Sequence, residues 1–131
     1  MSFKVEYNND TGIVESTFSD SISIEELYME TNQCIAIGKE HSSIKFLCDA
    51  SNATVDISIF YVIELAKVHN EEKLPRNAKI AVVQPIENRS KQFANFYETA
   101  CINRGWNAKV FPNRQLALKW LLDSPPIENQ G

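Results

Sequence analysis

From residue 49 to residue 58 the chain reads DASNATVDIS, in which Asp49, Ser51, Asn52, Thr54, Asp56 and Ser58 put a carboxylate, hydroxyl or amide at six of ten positions. Groups of this kind can accept a phosphate or face a partner when they share a loop. They do not form a catalytic set, because no base, nucleophile and charge stabiliser can be chosen from among them. A second polar group, Glu87, Asn88, Arg89 and Ser90, opens a predicted helix further along. Two readings of the first stretch stand side by side. One is a working loop that binds a partner, with the second group as its neighbour. The other is a strand handing over to a helix, with Asp56 and Ser58 as the helix cap.

Several other chemistries lack their residues. The four glycines, at 12, 38, 105 and 131, cannot write a GxGxxG or P-loop motif, so the close backbone approach of a nucleotide site is absent. There is no GxSxG elbow, and no Cys–His or Ser–His couple is suggested by position. Cys34, Cys48 and Cys101 lie far apart in apolar segments without metal-ligand spacing, which predicts buried reduced thiols. His41 and His69 fall near the ends of predicted helices, where a cation complements the dipole. A phospho-acceptor receiver domain needs paired acids after its first strand and a Lys after its fifth. Asp49 could pass for its central Asp, but ESTFSD follows a hairpin strand and VFPNRQ has no Lys. No cofactor and no metal are expected.

The positioning elements are well marked. FKVEYN alternates Phe3, Val5 and Tyr7 on one side, NNDTG supplies turn chemistry, and GIVESTF returns, which predicts a hairpin. Ser23-Ile24-Glu25-Glu26 is a capping box, with Ile22 and Leu27 placed as a hydrophobic staple. The helix after it carries Leu27, Thr31, Cys34 and Ile35 on one face and is expected to leave at Gly38. Ile44 to Cys48 reads as a buried strand. The next helix shows the stripe Ile59, Val62, Ile63 and Ala66. Ile80-Ala81-Val82-Val83 is the continuous apolar run of a strand covered on both faces. A helix over about 87–104, a strand WNAKVF and a short helix capped by Asn113 complete the order β-β-α-β-α-β-α-β-α. This is an α/β class single domain with a mixed sheet over residues 1–122, and residues 123–131 are expected to be a flexible tail. Sites in such sheets lie beyond the carboxyl ends of the parallel strands, here the segments 49–57, 84–88 and 111–113.

A length of 131 residues suits one domain. No basic, apolar leader and no membrane-spanning run is seen, so a soluble, cytoplasmic location is expected. The net charge of −4 argues against nucleic acid as a partner. That average hides a division: residues 1–65 hold 3 lysines against 11 acids, net −8, and residues 66–131 hold 10 lysines or arginines against 6 acids, net +4. The division, with Trp106 and Trp120 near the end of the chain, raises the expectation of a homodimer.

The opening hairpin, IKFLCDASNATVDIS, NAKIAVVQPIENRSKQF and above all VFPNRQLALKWLL, with its F-x5-A-x2-W-L pattern, carry a family likeness over residues 3–122. In this order they resemble the STAS-like superfamily, the fold of SpoIIAA-type anti-sigma-factor antagonists. More closely the chain is similar to the small stand-alone SpoIIAA-like bacterial proteins. The resemblance implies a SpoIIAA/STAS-like fold and a non-enzymatic regulatory or protein-binding module whose partner is a kinase-like anti-sigma factor. In that family the loop after the third strand ends in Asp-Ser-Ser-Gly, and the second Ser is phosphorylated. Asp56-Ile57-Ser58-Ile59 stands at that place, so the resemblance makes Ser58 the candidate phospho-acceptor. Two isoleucines replace the family's Ser and Gly, adding β-branched bulk beside the hydroxyl and pointing to a vestigial switch. The superfamily's lipid-transfer relatives imply an alternative: a pocket beside the sheet for a lipid-like or other apolar molecule, lined by Phe60, Tyr61, Phe93, Phe96, Tyr97 and Trp120.

Overall fold

Asn8 turns the chain at its first corner: its side-chain oxygen accepts hydrogen bonds from the amides of Asp10 and Thr11, and Gly12 takes a φ of +74°. The computed structural model describes residues 2–71 and 74–123. The turn joins strands β1 (Phe3–Asn8) and β2 (Ile13–Ile22), which pair antiparallel as expected. Helix α1 (Ile24–His41) leads to β3 (Lys45–Val55), α2 (Ile59–Glu71), β4 (Lys79–Val83), α3 (Asn88–Asn103), β5 (Asn107–Phe111) and α4 (Arg114–Leu122). The five strands lie in the sheet in sequence order, and every pair after the hairpin is parallel.

The sheet has two unlike faces. Helices α1, α2 and α3 cover one, where Val14, Phe46, Ile80 and Ala108 meet Ile35, Val62, Ala66 and Cys101. Helix α4 covers the other over the later strands, where Leu47, Ala81, Val83 and Phe111 meet Ala117 and Leu121. The hairpin keeps polar residues on that second face, with Lys4, Glu6 and Thr17 exposed.

Caps fix the helix ends. Ser23 and Glu26 form the expected capping box, and the Asn113 side chain accepts from the amide of Leu116. Helix α1 runs on past Gly38 and ends at Ser42, which takes the left-handed conformation. Gly38 instead lies against the sheet, where an added Cβ would stand 2.7 Å from Cζ of Phe46. Its small size serves packing rather than exit.

Three further expectations change. In α2 the buried face is Val62, Leu65, Ala66 and His69, and Ile59 and Ile63 turn outward. His69 is therefore not an exposed dipole partner: it is buried, and desolvation lowers its pKa to about 4. His41 does sit in the last turn of α1, stacked on Tyr7 at 3.8 Å. Trp106 is buried with the Arg76 guanidinium 4.0 Å above its ring, so it offers no surface for dimerisation. The expected tail from residue 123 falls outside the described residues beyond Asp123 itself.

Candidate functional site

The stretch from 49 to 55 is strand. β3 continues past the end of β4, which stops where Val83 pairs Asp49, and its second half pairs with β2 alone. The register moves from Thr17↔Asp49 to Ser19↔Asn52, so β3 carries one extra residue there, a bulge. The bulge reverses the alternation. Before it Phe46, Cys48 and Ala50 point toward α1–α3; after it Ala53 and Val55 do, and all but Cys48 are buried. A strict period of two would have put Asn52 and Thr54 in the core, which is why the sequence pattern suggested a loop.

The predicted polar residues therefore separate into three places. Asp49 faces α4: Oδ1 accepts from the amide and hydroxyl of Ser51, and Oδ2 takes a hydrogen bond from Arg114 at 3.4 Å. Arg114 also pairs with Glu15, which ties the start of α4 to β2 and β3. Asn52 and Thr54 are exposed on the outer face of the strand. Asp56 and Ser58 occupy the short link to α2.

In that link the cap is Ser58. Its Oγ accepts from the amide of Phe60 at 3.3 Å, and its carbonyl accepts from Tyr61 at 3.0 Å. Asp56, expected to be the cap, points instead to Arg89, with 3.5 Å between the charged groups. The Ser58 hydroxyl is exposed.

The second polar group closes the same end of the molecule. Glu87 caps α3, accepting from the Ser90 hydroxyl at 2.5 Å and from the amides of Ser90 and Arg89, and these bonds, the hydroxyl's first, hold its carboxyl below the ordinary value. Ser90 is fully buried, and its hydroxyl takes a 2.7 Å hydrogen bond from the amide of Val55. It clasps α3 to the end of β3 and is out of reach of a partner. Arg89 and Asn88 remain exposed. Sequence reading missed the apolar character of this end. Phe60 is 62% exposed, Ile59 47% and, in the β4–α3 loop, Ile86 74%. The signal was present in the sequence, because α2 is apolar on more than one side, Ile59-Phe60-Tyr61-Val62-Ile63, and only one side can face the core.

A second feature lies inside. Between the sheet and α1–α3 is a cavity of about 100 Å³. Phe93 and Tyr97 line it, whereas Phe60, Tyr61 and Phe96 are exposed and Trp120 packs with Phe111 on the opposite face. Two polar clusters reach its walls. Glu30 is buried and accepts from Ser16 Oγ at 2.5 Å and Cys34 Sγ at 3.4 Å; burial pushes its pKa up. His69 Nε2 lies 2.7 Å from the Tyr97 hydroxyl. Cys34 and Cys101 are buried and free, and Cys48 is partly buried and free; desolvation raises all three thiols, Cys101 to about 12. Among the described residues no group of three His, Cys, Asp or Glu side chains could hold a metal ion, and no helix is long and apolar enough to cross a membrane.

No protein-family model matches the sequence, and no curated protein sequence matches it. Solved structures do. An anti-sigma factor antagonist from Mycobacterium paratuberculosis is similar at a TM-score of 0.63 and 15% identity, covering 93% of this chain and 96% of that one. A protein of the DUF3478 family with a SpoIIAA-like fold, from Shewanella loihica PV-4, is similar at a TM-score of 0.54 and 15% identity, covering 91% of each chain. The expected SpoIIAA/STAS-like fold is thereby shown.

Proposed function

We propose that this SpoIIAA-like fold serves as a non-enzymatic protein-binding module, working through the end of the sheet where β3, α2 and the β4–α3 loop converge. The observation that carries the reading is the exposure of Ile59, Phe60 and Ile63 on α2 and of Ile86 in the β4–α3 loop, at the end of the sheet where the Asp56–Arg89 ion pair links the approach to α2 with the start of α3. Large apolar side chains left in water at a polar-rimmed edge are what a protein partner covers. The mycobacterial structural neighbour is described as an anti-sigma factor antagonist, which supports a regulatory partner of the anti-sigma type here.

Ser58 is the candidate switch within this surface. Its hydroxyl is exposed and already receives an amide at the start of a 13-residue helix. A phosphate there would meet further free amides and the positive end of the dipole, a stabilisation of about 0.3–1 kcal/mol. Its two negative charges would also stand beside Ile59 in the apolar patch, and would oppose a partner that buries it. Phosphorylation therefore acts as an off signal for docking. Asp56, Asn88 and Arg89 form the polar rim, and Asn52 and Thr54 extend it along β3.

The test is purification of the tagged protein with its partners from its own host, for wild type, Phe60→Ser/Ile86→Ser and Ser58→Asp. A protein retained by wild type, lost with the double variant and weakened by Ser58→Asp is the expected result. A partner that binds all three alike, or no partner at all, would overturn the reading, provided circular dichroism shows the variants folded.

A further inference from the structure

The cavity between the sheet and α1–α3 is a site in its own right, independent of the outer surface. Protein interiors hold few voids larger than a water molecule, and those that stay dry are apolar. This one, at about 100 Å³, is lined by more than twenty residues, most of them apolar, and no Lys, Arg or Asp is among those described.

Its polar groups are few and convergent. On the α1 side stands the Glu30 carboxyl, with Ser16 and Cys34 on Oε2 and Thr31 on Oε1 at 3.3 Å. No cation among the described residues neutralises it, and burial favours its protonated form. On the α2 and α3 side stands the His69–Tyr97 pair. The Nδ1 atom of His69 is buried with no hydrogen-bond partner among the described residues. A buried polar atom left unsatisfied calls for a reason, and on a cavity wall a binding site is one; the indole Nε1 of Trp106, outside the cavity lining, is the other such atom among the described residues.

We propose that this cavity binds a small, uncharged, mostly apolar molecule that carries one hydroxyl or carbonyl group. Size sets the upper bound: pockets for drug-sized ligands run to about 300–1,000 Å³, and an engineered apolar cavity of about 150 Å³ takes benzene. At about 100 Å³ the cavity is smaller than that one, so a single small ring is the largest occupant it takes and a long acyl chain does not fit. Charge sets the class. An anionic head group would meet no cation among the described residues, beside a carboxyl, and would lose its hydration for nothing in return. A neutral hydroxyl or carbonyl can accept the proton of the Glu30 acid, or bond to the His69–Tyr97 pair, while its ring fills the apolar remainder. The ligand class is thus narrower than a lipid-like molecule.

Phenol, toluene and octanoate, titrated separately into the full-length protein, are suitable probes, with amide and methyl chemical shifts as the readout. The expected result is saturable binding of phenol, with shifts centred on Glu30, Cys34, His69, Tyr97 and Ala94. Octanoate should leave these signals unmoved. Ala94→Leu fills the cavity and should abolish phenol binding. Glu30→Met, close to Glu in shape, should weaken phenol by about three- to tenfold relative to toluene, the range of one net hydrogen bond. Should Ala94→Leu fail to fold, the wild-type titration decides alone. No saturable shift with phenol or toluene up to their solubility limits, shifts confined to the outer surface, or octanoate binding as well as phenol would each overturn the proposal.

Discussion

His69 and Glu30 stand on opposite walls of one cavity and respond to pH with opposite sign. The folded protein holds His69 at about 4 against an ordinary 6.5, because burial penalises the imidazolium. Between those values the unfolded chain binds the proton and the native chain does not, so this residue makes stability rise with pH from about 4 to 6.5. At about 1.4 kcal/mol per unit the full effect is about 3 kcal/mol, complete above pH 6.5 and lost as pH falls through 4. Glu30 is raised, so the native state keeps a proton that the unfolded chain releases near 4.5. Its contribution is present below that value and lost as pH rises through the folded one. Urea denaturation from pH 4 to 8 should therefore show His69→Gln with a smaller rise over pH 4–6.5 than wild type. The lowered Glu26 and Glu87 are common to both proteins and cancel in the difference. Superimposable pH slopes for the two would refute the assignment. Sequence reading placed His69 correctly near the end of a helix but put it on the wrong side. Nothing local distinguishes an outward histidine from one that finds the Tyr97 hydroxyl 28 residues later.

At the scale of elements, the link between β3 and α3 holds the candidate surface in place. Ser90 lies on α3, yet its hydroxyl satisfies the amide of Val55 at the far end of β3. Ser90→Ala leaves that amide buried and unpaired, and should cost about 1–3 kcal/mol in a denaturant titration. It should also loosen the β3 end, seen as faster hydrogen exchange at Val55 than at Leu47. A variant as stable as wild type would mean that the clasp is redundant. Element order was readable from the sequence because capping signals and apolar periods are local: Ser23 with Glu26, Asn113, the run Ile80–Val83. The extent of β3 was not, because a bulge shifts the alternation at Ala50 and Ser51, and only pairing with Thr17 and Ser19 of β2 shows that the strand goes on. The polar residues of 49–58 were read as one group for the same reason. In the folded protein Asp49 belongs to the Arg114 anchor, and Asp56 and Ser58 belong to the α2 approach.

For the whole molecule, strand order converts a sequence asymmetry into a spatial one. The sheet runs β1-β2-β3-β4-β5, so the half of the chain with net −8 supplies one side and the half with net +4 the other. Two copies packed antiparallel would bring unlike sides together twice, in a closed pair. Such a homodimer rests on charge and not on Trp106, and salt should weaken it, as the screening length falls from about 30 Å at 0.01 M to about 3 Å at 1 M. Light scattering at high protein concentration should give a mass above 14.9 kDa in low salt and near it in 1 M salt. A monomer under both conditions removes the dimer from the picture.

The same strand order bears on how the chain is assembled as it is made. Each strand pairs with the one synthesised just before it, so no early strand waits for a late neighbour. The hairpin, then β3, then β4 can be laid down in turn, with α1 to α3 closing their side as they emerge. The other side has a different fate. Leu47, Ala81 and Val83 stay bare until α4 arrives with Ala117 and Leu121, and Arg114 then locks onto Glu15 and Asp49. A nascent chain stopped before residue 114 would hold a nearly complete sheet with one greasy side open to the cell.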